Sequence, residues 1–291
     1  MTLPKITSME LLAALTLILI LACSSGAAGG ARPTELVVFA ASSLTDAFRE
    51  AAAGYEADNR EVRVVLNFDG SQRLRTQLEH GARADLLASA DGRQMDLLAA
   101  AGLIGAEPVN FTTNRLVVVV FSGFKPSPTL ADLAAPGTRV VIAQATVPAG
   151  FYARTVLDNL QADPAFAPDY ADQVLANVVS EETNVRSVVQ KVALGEADAG
   201  IVYQTDARAP NITTEVQVLP IPESRNIIAS YPIAILSGST QHGPAQRFAQ
   251  RFIDYLMSEK GQQILEKHGF GNAVEVASRP DPGALTGAGD R

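Results

Sequence analysis

The sequence predicts an α/β fold in which strands end where helices begin. Three observations carry this. Short apolar runs such as Leu36–Ala40, Val62–Phe68 and Leu116–Phe121 alternate with amphipathic segments such as Leu44–Asp58. Glycines close several helical patterns, Gly81, Gly102 and Gly195 among them. The strand-to-helix joints carry Ser, Thr, Asn or Pro, residues suited to starting helices. Strands alternating with helices at this spacing imply βαβ units and a mostly parallel sheet.

In chain order, Leu36–Ala40 reads as a buried strand and Leu44–Asp58 as a helix, with Ser42 and Ser43 where an N-cap belongs and Asp46 in the first turn. Val62–Phe68 is a strand, Asp69-Gly70-Ser71 a turn, and Gln72–His80 a helix with Leu74 and Leu78 on one face. Asp85–Ser89 is a short strand and Met95–Ala101 a helix. Leu116–Phe121 is the most hydrophobic strand. Leu130–Leu133 starts a short helix and Arg139–Ala143 is a strand. Pro148 opens a helix that runs to Leu160. Residues 161–171, rich in Pro and Ala, read as a loop. Thr183 or Asn184 caps a helix through Leu194, and Ala199–Tyr203 is a buried strand ending in tyrosine. Val216–Leu219 and Ile233–Leu236 are strands. Ala245–Met257 and Lys260–His268 are amphipathic helices, and the Pro/Gly-rich end beyond Ala277 reads as disordered. The chain thus forms two successive α/β units with no internal sequence repeat.

Of the 291 residues, 47% are hydrophobic and 19% charged, with a net charge of -8. Such a chain is long enough for one large or two modest domains. Its acidity argues against nucleic-acid binding, which needs clustered Lys and Arg. An anion would have to be held by local dipoles, and a helix N-terminus supplies them through unpaired N–H groups and a partial positive charge. The three histidines, His80, His242 and His268, lie far in sequence from the candidate joints. No Gly-x-Ser-x-Gly elbow surrounds Ser43 and no His/Cys cluster has metal-ligand spacing, so neither a serine hydrolase nor a metal centre is indicated.

The single cysteine, Cys23, follows Lys5 and the apolar segment Leu11–Ala22. That segment suits a signal-peptide core. Ile20-Leu21-Ala22-Cys23 resembles a bacterial lipoprotein cleavage box, and Ser24–Gly30 follows as a flexible tether. The expectation is export, cleavage before Cys23 and acylation of its thiol.

Six stretches occur in order: Phe39-Ala40-Ala41-Ser42-Ser43-Leu44, Phe68-Asp69-Gly70-Ser71, Ala84–Ala90, Val147-Pro148-Ala149-Gly150, Glu182-Thr183-Asn184-Val185-Arg186 and Gly200-Ile201-Val202-Tyr203. Together they resemble the periplasmic molybdate-binding proteins of ABC uptake systems, from about Glu35 to about Val274. The resemblance implies a two-lobed type II periplasmic-binding-protein fold, each lobe a mixed sheet flanked by helices, with the ligand in the interlobe cleft. It implies that Ser43, Ser71 and Tyr203 offer hydroxyls to molybdate or tungstate, and that Ser43, Ser71, Ala149 and Val185 offer backbone N–H groups. It also implies an ABC permease partner, no cofactor, no direct protein–metal ligand and a monomer held to the membrane by its lipid. The implied layout is a signal peptide at 1–22, the lipidated Cys and tether at 23–33, a first lobe at 34–114 plus 230–275, a second at 115–229 and a disordered tail at 276–291.

The chemistry is consistent with that ligand class. A tetrahedral dianion without a proton only accepts hydrogen bonds, so its ideal site is all donors. Each bond to a charged partner contributes about 1.5–3 kcal/mol. Seven exceed the roughly 8 kcal/mol of micromolar binding, which leaves room for desolvation and closure. Sulfate or phosphate is the alternative ligand. Asp69 departs from the family, which has a small residue there. A carboxylate facing the cleft would repel a dianion or accept the proton of hydrogen phosphate. Turned outward in an Asx-type turn it would do neither, with Arg73 able to neutralise it.

Overall fold

The structure, a computed structural model, describes residues 33–210, 212, 214–238 and 244–272. The expected signal peptide, Cys23, the expected tether through residue 32 and the expected tail from 276 lie outside the described residues. Strand β1 (Thr34–Ala41) leads through a 3-10 turn (Ser42–Leu44) into α1 (Thr45–Asp58). Then come β2 (Val62–Asp69), α2 (Ser71–Glu79), β3 (Leu86–Ala88), α3 (Gly92–Ala100) and β4 (Val109–Phe121). After a second 3-10 turn (Leu130–Ala134) follow β5 (Val140–Ala143), α4 (Pro148–Gln161), α5 (Tyr170–Ala176), β6 (Val178–Glu182), α6 (Val185–Ala193), β7 (Ala199–Tyr203) and α7 (Gln204–Ala207). The chain continues through β8 (Val216–Pro220), β9 (Ile228–Ile235), α8 (Pro244–Met257) and α9 (Glu259–Lys267).

The strands run in the order β2-β1-β3-β9-β4-β7-β5-β6, with β8 also on β4. Pairings β1–β2, β1–β3, β5–β6 and β5–β7 are parallel. Those of β9 with β3, and of β4 with β7, β8 and β9, are antiparallel. The sheet is therefore mixed, not mostly parallel. Strand–helix alternation identifies the βαβ units, but β4 and β9 carry no sequence mark of their direction.

Strand β4 is the pivot of the arrangement. It pairs with β9 from Val109 to Arg115 and with β7 from Leu116 to Val120. Only its apolar second half, Leu116–Phe121, reads as strand in the sequence. The first half, Val-Asn-Phe-Thr-Thr-Asn-Arg, hides its backbone pairing behind polar side chains. Two further differences concern residues 161–182. Tyr170–Ala176 is helical, anchored by Tyr170, whose hydroxyl donates to the Leu130 carbonyl at 2.6 Å. Val178–Glu182 is a full strand whose polar second half masks it.

Each face of the β1/β3/β9 region is covered. Phe39, Leu87 and Ala234 face Leu74, Leu78, Met95 and Leu98 of α2 and α3. Leu36, Val38, Ala40 and Ala88 face the other way, into the core that holds Phe48 of α1 and Phe252 and Leu256 of α8. Phe48, Phe111, Phe252 and Tyr55 meet edge-on or tilted with centroids 5.3–6.1 Å apart. Strands buried on both faces read as unbroken apolar runs, which is why these were legible.

Candidate functional site

The carboxyl ends of β1, β2 and β7 and the starts of α2, α4 and α6 converge on one small void of about 10 Å³. Ser43 and Ser71 line it from the side of β1 and β2. Ala149, Val185 and Tyr203 line it from the side of β5 and β7. The remaining walls are small or apolar: Ala41, Ser42, Gly70, Ala90, Val147 and Pro148. No charged side chain belongs to the lining. A larger groove beside Val37, Leu78 and Leu236 lies away from every strand-to-helix joint.

The serines do not cap helices. The cap position of the first turn is Ala41 and that of α2 is Gly70, and neither cap makes a side-chain bond. Ser43 Oγ instead lies 2.8 Å from the Tyr231 hydroxyl. Ser71 Oγ accepts from the Ala90 N–H at 3.1 Å. Asn184 does cap α6, its Oδ1 accepting from Ser187 N–H at 3.0 Å. That leaves the N–H of Val185, in the first turn, without an intrahelical acceptor. Pro148 occupies the first position of α4, so Ala149 carries the first available N–H there. The Tyr203 hydroxyl is buried close to the Tyr231 hydroxyl, and among the described residues it makes no hydrogen bond of good geometry. Burial raises the Tyr203 phenol well above its ordinary pKa, and does the same to Tyr231. Both phenols hold their protons at any physiological pH.

Asp69 faces its own helix start. Its Oδ1 accepts from Gly70 N–H at 2.8 Å and its Oδ2 lies 3.0 Å from Arg73 Nε. It is absent from the lining.

Several contacts span the void's two sides. Gln72 Nε2 donates to the Thr183 carbonyl at 2.8 Å, and Arg93 Nη2 donates to that of Thr146 at 3.4 Å. The Arg93 guanidinium also sits 4.6 Å above the Phe151 ring. Arg186, beside Val185, pairs with Asp46 and with Asp206 at 2.7 Å each. Burial pushes the Asp206 carboxyl up to about 6, against the opposing pull of Arg186.

Sequence reasoning missed Tyr231 and Asn114. Asn114 Nδ2 donates to the Tyr231 hydroxyl at 3.3 Å and to Thr205 Oγ1 at 2.9 Å. The one available signal was a tyrosine within the apolar run of β9, and that pattern is indistinguishable from a packed ring. Among the described residues, no group of three or more His, Cys, Asp or Glu could hold a metal, and no helix is long and apolar enough to cross a membrane.

Comparison with known families matches residues 36–271 to the bacterial extracellular solute-binding proteins. The chain belongs to this family. Among its relatives, this solute-binding protein is 39% identical over 258 residues to the molybdate-binding protein ModA of Mycobacterium tuberculosis, covering 86% of this chain and 92% of that one. The substrate-binding domain of a putative molybdenum ABC transporter from Clostridium difficile superposes with a TM-score of 0.60 at 28% identity, over 82% of this chain and 99% of that one. The sulfate-binding protein SubI of M. tuberculosis reaches 0.72 at 18% identity, over 84% and 88%. At that identity the likeness shows the fold alone. The solute-binding protein has the two-lobed type II periplasmic-binding-protein fold, an α/β architecture with a mixed sheet.

Proposed function

We propose that this solute-binding protein captures molybdate or tungstate outside the cytoplasm and delivers it to an ABC permease. The observation that carries this reading is a small void walled by hydroxyls and helix N-termini with no charged side chain. Such a wall suits an anion that only accepts. The donors are the hydroxyls of Ser43, Ser71 and Tyr203 and the N–H groups of Ser43, Ser71, Ala149 and Val185. The sequence relationship to ModA supports the choice of ion.

In this reading residues 34–114 with 230–275 form one lobe and 115–229 the other. They hinge where β4 exchanges β9 for β7 and along the link from Pro220 to Ile228. A ligand touching both lobes favours closure by the difference in its affinity for the two states. Cys23, acylated after cleavage of residues 1–22, tethers a monomer to the membrane. The role is binding and not catalysis: the partner of Ser43 is a tyrosine held protonated, which cannot act as its base.

Isothermal titration with molybdate, tungstate, sulfate and phosphate tests the proposal. One-to-one binding of molybdate and tungstate at micromolar affinity or tighter, with phosphate silent, supports it. Tight sulfate binding with molybdate silent would replace the ion and keep the transport role. Phosphate binding would overturn the donor-only site, since Asp69, the nearby acceptor, is held by Gly70 and Arg73.

A further inference from the structure

We infer that Arg186 is a positioning residue that latches the closed lobes: its guanidinium, paired with Asp206 inside its own lobe, takes Asp46 of the opposite lobe when the two halves meet. The inference rests on the proposed oxyanion site and names a contact that retains the ligand there without touching it.

One guanidinium gathers three of the stretches that line the void. Arg186 directly follows Val185 at the start of α6. Asp46 stands in the first turn of α1, just beyond Ser43, and Asp206 stands on α7, just beyond Tyr203. Arg186 Nη2 donates to Asp46 Oδ2 at 2.7 Å, and Arg186 Nε lies 2.7 Å from Asp206 Oδ1. Asp46 belongs to the lobe of Ser43, whereas Arg186 and Asp206 belong to the lobe of Val185 and Tyr203. The first contact therefore crosses the cleft and the second does not.

The two carboxylates differ in what opening costs them. Asp206 has 0% side-chain exposure, and a buried charge left alone is expensive, so its pairing with Arg186 has to persist whether the lobes are together or apart. Asp46 keeps 29% of its side chain exposed. It lies at the wall of a cavity of about 210 Å³ that both lobes line behind Ser43, from which it returns to water at low cost. Lys267 and His268 line the same cavity but are engaged by Glu50 at 2.7 and 2.8 Å. Arg186 thus keeps one counter-ion in either state, and the lobes part without stranding a buried charge. Such a pair strengthens closure and leaves it reversible, as a carrier that must surrender its ligand requires. Its closing also draws the starts of α1 and α6 towards each other, with the Ser43 and Val185 donors at their tips.

The test is a mutant cycle on the full chain, read by titration calorimetry with molybdate, or with sulfate if that is the ion bound, and by the ligand-free melting temperature. Asp46→Asn removes the charge and keeps the shape. The second background is Arg186→Gln with Asp206→Asn, which removes the guanidinium together with the buried carboxylate that needs it. Asp46→Asn should weaken binding about three- to tenfold in the otherwise unaltered protein, between the small worth of an exposed ion pair and that of a hydrogen bond to a charged group. In the second background it should not weaken binding at all. The ligand-free melting temperature should shift equally in both backgrounds, because Asp46 and Arg186 are parted there. Asp46→Lys gives a reading that does not need the second background to fold. Attraction between the new cation and a dianion would tighten binding, whereas repulsion across the latch weakens it beyond Asp46→Asn. Tightening by Asp46→Lys, or an equal loss of affinity from Asp46→Asn in both backgrounds, overturns the latch. So does a ligand-free melting temperature whose response to Asp46→Asn depends on Arg186, since the pair would then belong to the fold. Failure of the unaltered protein to bind any oxyanion overturns the site reading and the latch with it, whereas binding without the coupling overturns the latch alone.

Discussion

Gly70→Ala tests lobe closure with a single methyl group. Gly70 has φ -60 and ψ 136, a conformation alanine adopts freely, so the substitution strains no backbone. What meets the methyl is the Gln72 side-chain amide of the same helix, 2.5 and 2.8 Å from a Cβ here, and a backbone across the void. A Cβ there would stand 2.4 Å from the Thr183 carbonyl oxygen, and ordinary contact starts at 3.4 Å, so Thr183 must retreat by about 1 Å. The 2.8 Å bond from Gln72 to that carbonyl would then open to about 3.8 Å and be lost. Thr183 is two residues from Val185, and a rigid retreat carries the Val185 and Ala149 N–H groups and the Tyr203 hydroxyl with it. Each donor to a charged ligand is worth about 1.5–3 kcal/mol, so losing even one weakens binding roughly 10- to 150-fold. Titration calorimetry would read this as a larger Kd, while the melting temperature of the ligand-free protein stays level or rises slightly. An unchanged Kd would refute the idea that these two backbones must approach this closely to hold the ligand. A parallel collapse of ligand-free stability would show that the contact belongs to the fold rather than to closure.

Gly150→Ala should behave in the opposite way. Its Cβ would meet the Gln144 and Ala143 carbonyl oxygens at 2.1 and 2.3 Å within the same turn, so denaturant midpoints fall with or without ligand. Tyr203→Phe removes a buried hydroxyl that makes no hydrogen bond of good geometry among the described residues, and keeps the ring. Affinity should fall about 10- to 150-fold with no loss of ligand-free stability in calorimetric scans. The Asp206 carboxyl is raised in the folded state to about 6 from an ordinary 3.8. The folded protein therefore keeps a proton that the unfolded chain has released. That contribution is fully present below about pH 4 and is lost as pH rises through about 6. The stability of the unaltered protein minus that of Asp206→Asn, from urea titrations across this range, should fall with rising pH. A rise would refute the burial argument.

The sequence revealed most of the elements because strands buried on two faces cannot hide their apolar runs. It singled out the five residues that line one void because helix starts, small residues and a terminal tyrosine occur in a recognisable register. What stayed hidden is non-local. The partner of Ser43 comes 188 residues later in the chain, and nothing around Tyr231 distinguishes a hydrogen-bonding tyrosine from a packed ring. The direction of β4 and β9 was hidden for the same reason, since strand pairing is decided between distant segments. The first half of β4 satisfies its backbone while presenting Thr112, Thr113 and Asn114 as buried polar residues, which composition alone assigns to a loop. Capping was misjudged at Ser42 and Ser43 because a hydroxyl at a helix start has two uses, and a tertiary partner took precedence over the local N–H.

The place of β9 between β3 and β4 has a consequence for how the chain is made. Strands β1, β2 and β3 emerge early, yet the open edge of β3 waits for Ile228–Ile235, which is synthesised after all the strands of the other sheet region. Residues 116–220 hold every strand that pairs around β5 and β7, so that region can assemble as a continuous stretch while the first remains unfinished. Until β9 arrives, β3 presents Leu86-Leu87-Ala88 as an unpaired apolar edge, the kind of segment that recruits strands from other chains. Vectorial delivery of this chain therefore favours late completion of its first half. Truncations that stop short of Ile235 should be lost to aggregation rather than accumulate as a stable half-molecule.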